Sequence, residues 1–514
     1  MMSLLIMTPI HINKGGKLRS LIRPAYMALV VCGLLSACAV GPDFVPPRPQ
    51  ATDQYTNDAH SVDRFSAQGM TQHLSSDGAI PYAWWKLFGS ASLNDVVLQA
   101  LAHNQTLAAA DASLRQSQHN VQAAYGVFFP KVDIGTEALR ARSAPVQTGL
   151  ATPGTVYNLV TASASVSYAL DFFGGERRAL EAVNAQMTNQ VYLTKAAYLM
   201  LSANVVNTMI AHAAYAEQIR LSKELIAIQR GQLKTTQVQY DSGTVAYSSV
   251  LSMQSQIANS EAAIAPLQQK LAQAEDLLAS LQGITPAELH LPDMALSSLS
   301  LPTELPLSLP SDFVRQRPDI LSAEAQLHVA SAEIGVATAA MYPSININGT
   351  FGIAGSSFGQ MSATNGKFWN VGPSISLPLF QGGTLWYQRQ AAMDAYQVAQ
   401  SNYRQTVLTA FAEVADILKA IEYDTATLRA RADENHAAQQ ALHLLQANYS
   451  AGLAAYIDVY TADVQYHQTS IDYLQAVAQR YQDTVALYAS LGGGWWNQTT
   501  SMANAGHDGA GVAP

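Results

Sequence analysis

The chain has 514 residues, of which 49% are hydrophobic and only 13% charged, and a formal net charge of −9. The acidic balance argues against nucleic acid as a partner, and the charged fraction falls well below the roughly 25% of an ordinary soluble domain. Past the N-terminus no stretch gives about 20 uninterrupted apolar residues, which excludes a polytopic helical membrane protein.

The first residues read as an export leader. Lys14, Lys17, Arg19 and Arg23 precede an apolar run from Ala25 to Leu35, which ends in Leu35-Ser36-Ala37-Cys38. This pattern resembles the bacterial lipobox, in which the cysteine is acylated and becomes the first mature residue. Cys32 lies inside the run, so residues 1–37 as a lipoprotein signal peptide leave Cys38 as the mature chain's one cysteine. A lone exported thiol has no intramolecular disulfide partner, and lipidation gives it a use. The alternative is an ordinary signal peptide beside an incidental cysteine. Ala39 follows, not Asp, and by resemblance to bacterial sorting rules this favours the outer membrane. Loss of the leader's four basic residues takes the formal charge from −9 to −13.

Residues 38–83 read as a lipidated extended segment. From there the chain says most things twice, at an offset near 209 residues. "YDSGTVAYSSV" begins at Tyr240 and "YSAGLAAYIDV" at Tyr449; "ASLQG" ends at Gly283 and "ASLGG" at Gly493. The first structural repeat spans 84–283 and the second 320–494. Each runs helix, strand, loop, strand, Gly-Gly, very long helix, Gly turn, long helix.

In chain order, Leu93, Ala100, Leu107, Leu114 and Val121 are spaced by seven, the seam of a packed helix. Strands are expected at about 131–140 and 157–170, where apolar and polar residues alternate. After Gly175 a proline-free stretch reads as helix to about Tyr240, some 65 residues, or ~100 Å at ~1.5 Å each. Its stretch 196–216, the most apolar, is interrupted by Ser202, Asn204, Asn207 and Thr208 and reads as a buried helix face. Gly243 turns the chain into a return helix that Pro266 is expected to kink. Residues 284–319 form a Pro-rich extended linker, with Pro286, Pro292, Pro302, Pro306, Pro310 and Pro318. The second repeat offers strands at about 344–354 and 368–380, then a long helix, a turn at Gly452 and a return helix. Residues 495–514 are Gly-, Ala-, Ser- and Asn-rich and read as a disordered tail.

The four strands are each near the ~9–11 residues a tilted strand needs to cross a bilayer. Four strands cannot close a barrel, and open edges are not tolerated in lipid. If they are membrane strands, the barrel is shared between protomers. The alternative is four solvated strands beside a helical core.

These residues resemble the TolC-like outer membrane factors, in the lipoprotein branch that serves tripartite RND-type efflux systems. The resemblance rests on "VGPDFVPP" after Cys38 and on "WWKLFGSASLNDVVLQALAHNQTLAAADA", with Trp84, Trp85, Phe88, Leu93, Leu101, Asn104 and Leu107. It rests also on Arg317-Pro318-Asp319-Ile320, Ala323-Glu324, Ile334-Gly335, Pro343 and the closing "LGGGWW". It implies a mixed α/β membrane protein: a homotrimeric twelve-stranded β-barrel, four strands per protomer, continued by a long α-helical periplasmic barrel. It implies as partners outer membrane lipid, a periplasmic adaptor protein and an inner-membrane RND-type transporter. The expected function is a passive exit duct for substrates those partners deliver, with no cofactor. A general diffusion porin or a structural envelope lipoprotein is the alternative. The former would need many more strands, and the latter would not need strands of membrane length.

By the same resemblance the hairpin tips dock the adaptor, at Tyr240, Gly243 and Val245 and at Tyr449, Gly452 and Leu453. The alternative is that both glycines serve only as helix C-caps. Family members commonly place an aliphatic and a carboxylate ring on the helix after the second turn. Here the matching positions are Ile457 and Thr461, with Asp458 and Asp463 on other faces, so a periplasmic gate of Ile457 and Thr461 is expected. The alternative is that these side chains are packing or solvated residues. Gly355-Ser356-Ser357-Phe358-Gly359 fits the G-x-S-x-G nucleophile pattern. It falls between two amphipathic strands, not in a strand–turn–helix elbow, and the chain is not expected to be an enzyme. The twelve histidines show no metal-ligand spacing, and no P-loop is present.

Overall fold

The computed structural model describes residues 39–48, 55, 64–67, 70–75, 79–144, 153–307, 313–361 and 364–497. The expected signal peptide, Cys38 and most of the expected tail lie outside these residues. Two short strands come first, β1 (Arg64–Ala67) and β2 (Met70–Ser75), then helices α1 (Ala91–His103) and α2 (Gln105–Ala124). Strands β3 (Lys131–Arg142) and β4 (Val156–Leu170) lead into α3 (Gly175–Asp241) and α4 (Tyr247–Leu281). After β5 (Glu304–Pro306) the pattern recurs: α5 (Pro318–Ala339), β6 (Ser344–Gly355), β7 (Lys367–Ser376), α6 (Thr384–Ser450) and α7 (Tyr456–Ser490). The repeat holds to the residue in its hairpins: α3 and α6 have 67 residues each, α4 and α7 have 35. Pro266 sits inside α4 without ending it.

The chain divides into two compact units that cut across the repeats. One takes the described residues up to 45 with 119–185 and 327–398; the other takes 46–118, 186–326 and the described residues from 399. The boundaries fall inside α2, α3, α5 and α6. Each repeat gives two strands to the first unit and its helical tip to the second.

The first unit is built on one antiparallel sheet in the order β3-β4-β6-β7. Its register sorts the side chains. Val132, Val166, Gly349 and Val371 form one cross-strand row; Ile134, Ala164, Phe351 and Trp369 form the next on the same face. The opposite face carries Asp133, Ser165, Thr350 and Asn370, then Lys131, Ser167, Asn348 and Gly372. A slip of one residue would interchange the faces. The apolar face is largely exposed: Ile134 is 83% exposed and Trp369 73%. β3 and β7 are the edges, each with one side unpaired among the described residues.

Residues 39–45 strap onto this unit. Val40 N–H donates to Phe173 O at 3.0 Å. The buried Arg178 guanidinium donates to Val40 O, Asp43 Oδ1 (2.6 Å) and Glu181 Oε2 (2.7 Å). Glu181 also meets His328 Nε2 at 2.8 Å, and Phe44 stacks on the His328 ring at 4.3 Å. Burial opposes the Arg178 charge, but the Asp43 and Glu181 carboxylates outweigh it and hold its pKa above the ordinary value. Gly41, at φ +99°, passes so close to Gly335 that a Cβ would lie 2.5 Å from its Cα, so the turn admits only glycine.

The second unit holds the dense core. Trp84, Phe88, Phe313 and Val485 are fully buried, and Trp84 stacks on Tyr488 at 5.7 Å. Arg317, just before α5, is fixed by both Asp319 oxygens (2.9 and 2.6 Å), Glu413 Oε2 (2.8 Å) and Ser490 O (3.1 Å). The heptad 93–121 forms two helices, not one. Asn104 breaks it: its Oδ1 accepts from Leu107 N–H and its Nδ2 donates to Leu281 O, both at 2.9 Å. A three-stranded sheet, β1-β2-β5, stands where only extended segments were expected, and β2 and β5 run parallel. Strands this short give no readable alternation, and Pro306 in β5 disguises the third.

Candidate functional site: helical tips and an exposed stripe

Both long hairpins, in the second unit, turn by the same backbone device. Gly243 (φ +79°) follows α3 and Gly452 (φ +72°) follows α6. Gly243 N–H donates to Tyr240 O at 2.8 Å and Thr244 N–H to Gln239 O at 2.9 Å. Gly452 N–H donates to Tyr449 O at 3.0 Å and Leu453 N–H to Asn448 O at 2.8 Å. These paired bonds are the Schellman pattern, which satisfies the last carbonyls of each helix. Open space surrounds both glycines, since a Cβ on either meets nothing within 4 Å. The positive φ alone restricts them.

The turns carry different chemistry on the same frame. At the first, Ser242 and Thr244 hydroxyls both donate to Gln239 O at 2.8 Å, and Gln237 Nε2 donates to Asp241 Oδ1 at 3.0 Å. Polar groups are consumed locally, and Val245 is the small apolar residue beside them. At the second, Leu453 projects with 79% of its surface exposed. Each turn is flanked by a tyrosine pair, Tyr240–Tyr247 at 5.2 Å and Tyr449–Tyr456 at 5.5 Å. The pairing residues Tyr247 and Tyr456 coincide in the two copies of the repeat but are not among the tip residues expected from the sequence.

The start of α7 is oriented by a small apolar cluster. Tyr460 is buried with Ile226 of α3 and with Met253 and Ile257 of α4. That leaves Ile457 and Thr461 together on the exposed side of α7, with Gln465 and Gln468 continuing the stripe. The Thr461 hydroxyl donates to Ile457 O at 2.8 Å. Asp458 is used at the helix start, where its Oδ2 accepts from Ala455 N–H at 3.0 Å. Asp463 is partly buried and faces His467 Nε2 at 3.6 Å; burial raises its pKa, with His467 opposing. Asp463 therefore stands off the exposed stripe, while Asp458 is exposed at its start with its carboxylate engaged by the helix terminus.

Farther along α7 lies a polar cluster that sequence reasoning missed. Arg480 donates to Gln72 Oε1 of β2, and Gln72 Nε2 donates to Pro302 O at 2.9 Å. Burial lowers the Arg480 pKa to about 10, against the pull of Asp483 and Asp424. Burial also pushes the Asp483 carboxyl up to about 7; Asp424 adds to the rise, while Gln479 and Arg480 oppose it. Polar residues three apart on a long helix look solvated in a sequence, where neither the contact of Arg480 with Gln72 of β2 nor the approach of Asp424 of α6 to Asp483 is visible.

The G-x-S-x-G stretch follows the end of β6, with Ser357 ahead of a single turn, Phe358–Gln360. Among the described residues no helix is long and apolar enough to cross a membrane, and no group of His, Cys, Asp or Glu could hold a metal ion.

The family model described as outer membrane efflux protein matches residues 96–283 and 309–493. The chain is 27% identical over 476 residues to the pyoverdine export outer membrane protein OpmQ of Pseudomonas aeruginosa, covering 92% of this chain and 97% of that one. It is 25% identical over 468 residues to the cation efflux system protein CusC of Escherichia coli O6:H1, covering 90% and 96%. A solved outer-membrane channel, OprN, matches with a TM-score of 0.78 at 26% identity, over 89% of this chain and all of that one.

Proposed function

The chain belongs to the outer membrane efflux protein family, whose members are trimeric channels of β-barrel and long helices, and on that premise we propose how its own residues divide the work of an exit duct. The observation that carries the reading is the sorted sheet. One face is apolar and largely exposed, the other polar, and both edges lack partners among the described residues. Three copies of four strands give a closed barrel of twelve with lipid outside and water inside.

The finer assignments rest on position and chemistry. Cys38 is the lipidated residue; the lipobox sequence and the strap beginning at Ala39 support this. The strap ties the chain next to Cys38 to the turn between β4 and α3. The tips at Tyr240, Gly243 and Val245 and at Tyr449, Gly452 and Leu453 dock a periplasmic adaptor protein, which links the duct to an inner-membrane RND-type transporter. Exposed apolar side chains on rigid Schellman turns support that role. Ile457 and Thr461 form the periplasmic constriction, with an aliphatic and a hydroxyl in place of a carboxylate ring. The chain catalyses nothing itself and draws its driving force from the transporter. One relative is named for pyoverdine and another for cations, so cargo choice belongs to the partners.

The test is export by a deletion strain carrying Gly243→Arg or Gly452→Arg. Positive φ makes each substitution cost roughly 1–2 kcal/mol locally, without a steric clash. Export is expected to be lost while trimers still reach the outer membrane. Full export by both variants would contradict the docking role.

A further inference from the structure

The apolar face of the β3-β4-β6-β7 sheet changes character at one end. Arg140 pairs with Asn158, Arg142 with Val156 and Lys367 with Ile353, so all three bases share the phase of Val132, Ile134, Trp369 and Val371. They stand at the end away from the helices. β3 ends at Arg142, and Lys367 opens β7, so both lie where the chain passes from one strand to the next, through residues 143–155 and 356–366. All three are exposed, and no ion pair found among the described residues involves them.

The acids of the sheet are elsewhere. Asp133 pairs with Ser165 and Glu137 with Thr161, both on the polar face. The loops add none, because residues 143–159 and 354–366 contain no Asp or Glu. A chain of net charge −9 thus collects three cations and no anion at one end of one face. Arg and Lys on a lipid-facing strand are disfavoured at the bilayer midplane and tolerated near its interface, which sets this end at headgroup level. The neighbouring same-face row holds the Phe351–Trp369 pair, aromatic residues suited to that boundary.

We propose that Arg140, Arg142 and Lys367 form a binding site for the phosphate groups of the lipid in the outer leaflet. The site rests on the shared-barrel reading: β3 and β7 are the two edge strands, so closure brings Lys367 of one protomer toward Arg140 and Arg142 of the next. Guanidinium groups grip phosphate oxygens in pairs, and the ammonium adds a point charge between them. The apolar rows below take the acyl chains, continuing the lipid-facing surface without a break.

The experiment uses the purified full-length protein in detergent, titrated with bisphosphorylated lipid A and with the same lipid A after phosphatase treatment, and read by native mass spectrometry. The wild-type trimer should prefer the phosphorylated lipid by on the order of a hundredfold. Arg140→Gln/Arg142→Gln/Lys367→Gln should abolish that preference and remain trimeric. If the triple variant does not assemble, Lys367→Gln alone should reduce the preference. Equal binding of the two lipids by a wild-type trimer, or an undiminished preference in the variants, would overturn the site. A monomeric wild type would overturn the barrel reading as well.

Discussion

The two units solve the burial of apolar surface in opposite ways. Around Trp84, Phe88 and Phe313 the chain covers its own large side chains completely. On the β3-β4-β6-β7 sheet it leaves Ile134, Val371, Trp369 and Ile375 mostly bare, though they form a continuous face. The first arrangement is a core that water alone would drive together. The second is complete only if lipid meets the face and other copies meet the edges. The difference separates what this chain can fold by itself from what it can finish only in a membrane and in company.

The largest test of that contrast is Trp84→Ala. It removes a fully buried ring stacked on Tyr488 and should cost about 3–5 kcal/mol, lowering the unfolding midpoint of detergent-solubilised protein. A near-neutral result would mean that the core is not the self-sufficient part. Next comes Val371→Arg, at the middle of the apolar face. It should cost about 2–4 kcal/mol and deplete trimers from the outer membrane, whereas Asn370→Arg on the polar face should leave assembly nearly intact. Similar effects from both would erase the distinction between the faces. The smallest concerns pH. The folded-state pKa of Asp483, raised by burial to about 7 from an ordinary 3.8, means that the folded unit holds this proton more tightly than the unfolded chain. Its stabilising contribution is full below pH ~4 and disappears as pH rises through ~7. Thermal midpoints should therefore fall over that window in the wild type and fall less in Asp483→Asn.

Legibility followed the same divide. Alternation along β3, β4, β6 and β7 revealed the sheet and the sorting of its faces, because one side chain in two must agree with its solvent. Internal repetition revealed both hairpins and the glycines that turn them. The split at Asn104 was hidden, since a heptad passes through it and only the contact with Leu281 O shows why the helix stops. The small sheet β1-β2-β5 and the Arg480–Gln72 contact it makes with α7 were hidden too, because β2 and β5 lie roughly 230 residues apart and Arg480 and Gln72 408 apart, joined through segments too short to show a period. The strap motif "VGPDF" and the Ile334-Gly335 motif were both visible as words. That they touch, Gly41 on Gly335, is information only the fold contains.

The sheet's two faces can be assigned directly with adjacent cysteines, since Asn370 and Val371 alternate on β7. Cells expressing Asn370→Cys or Val371→Cys would be treated with a membrane-impermeant maleimide and, separately, with a lipid-soluble one. The account predicts that the impermeant reagent labels position 370 and not 371, while the lipid-soluble reagent labels 371. Labelling of 371 but not 370 by the impermeant reagent would contradict it.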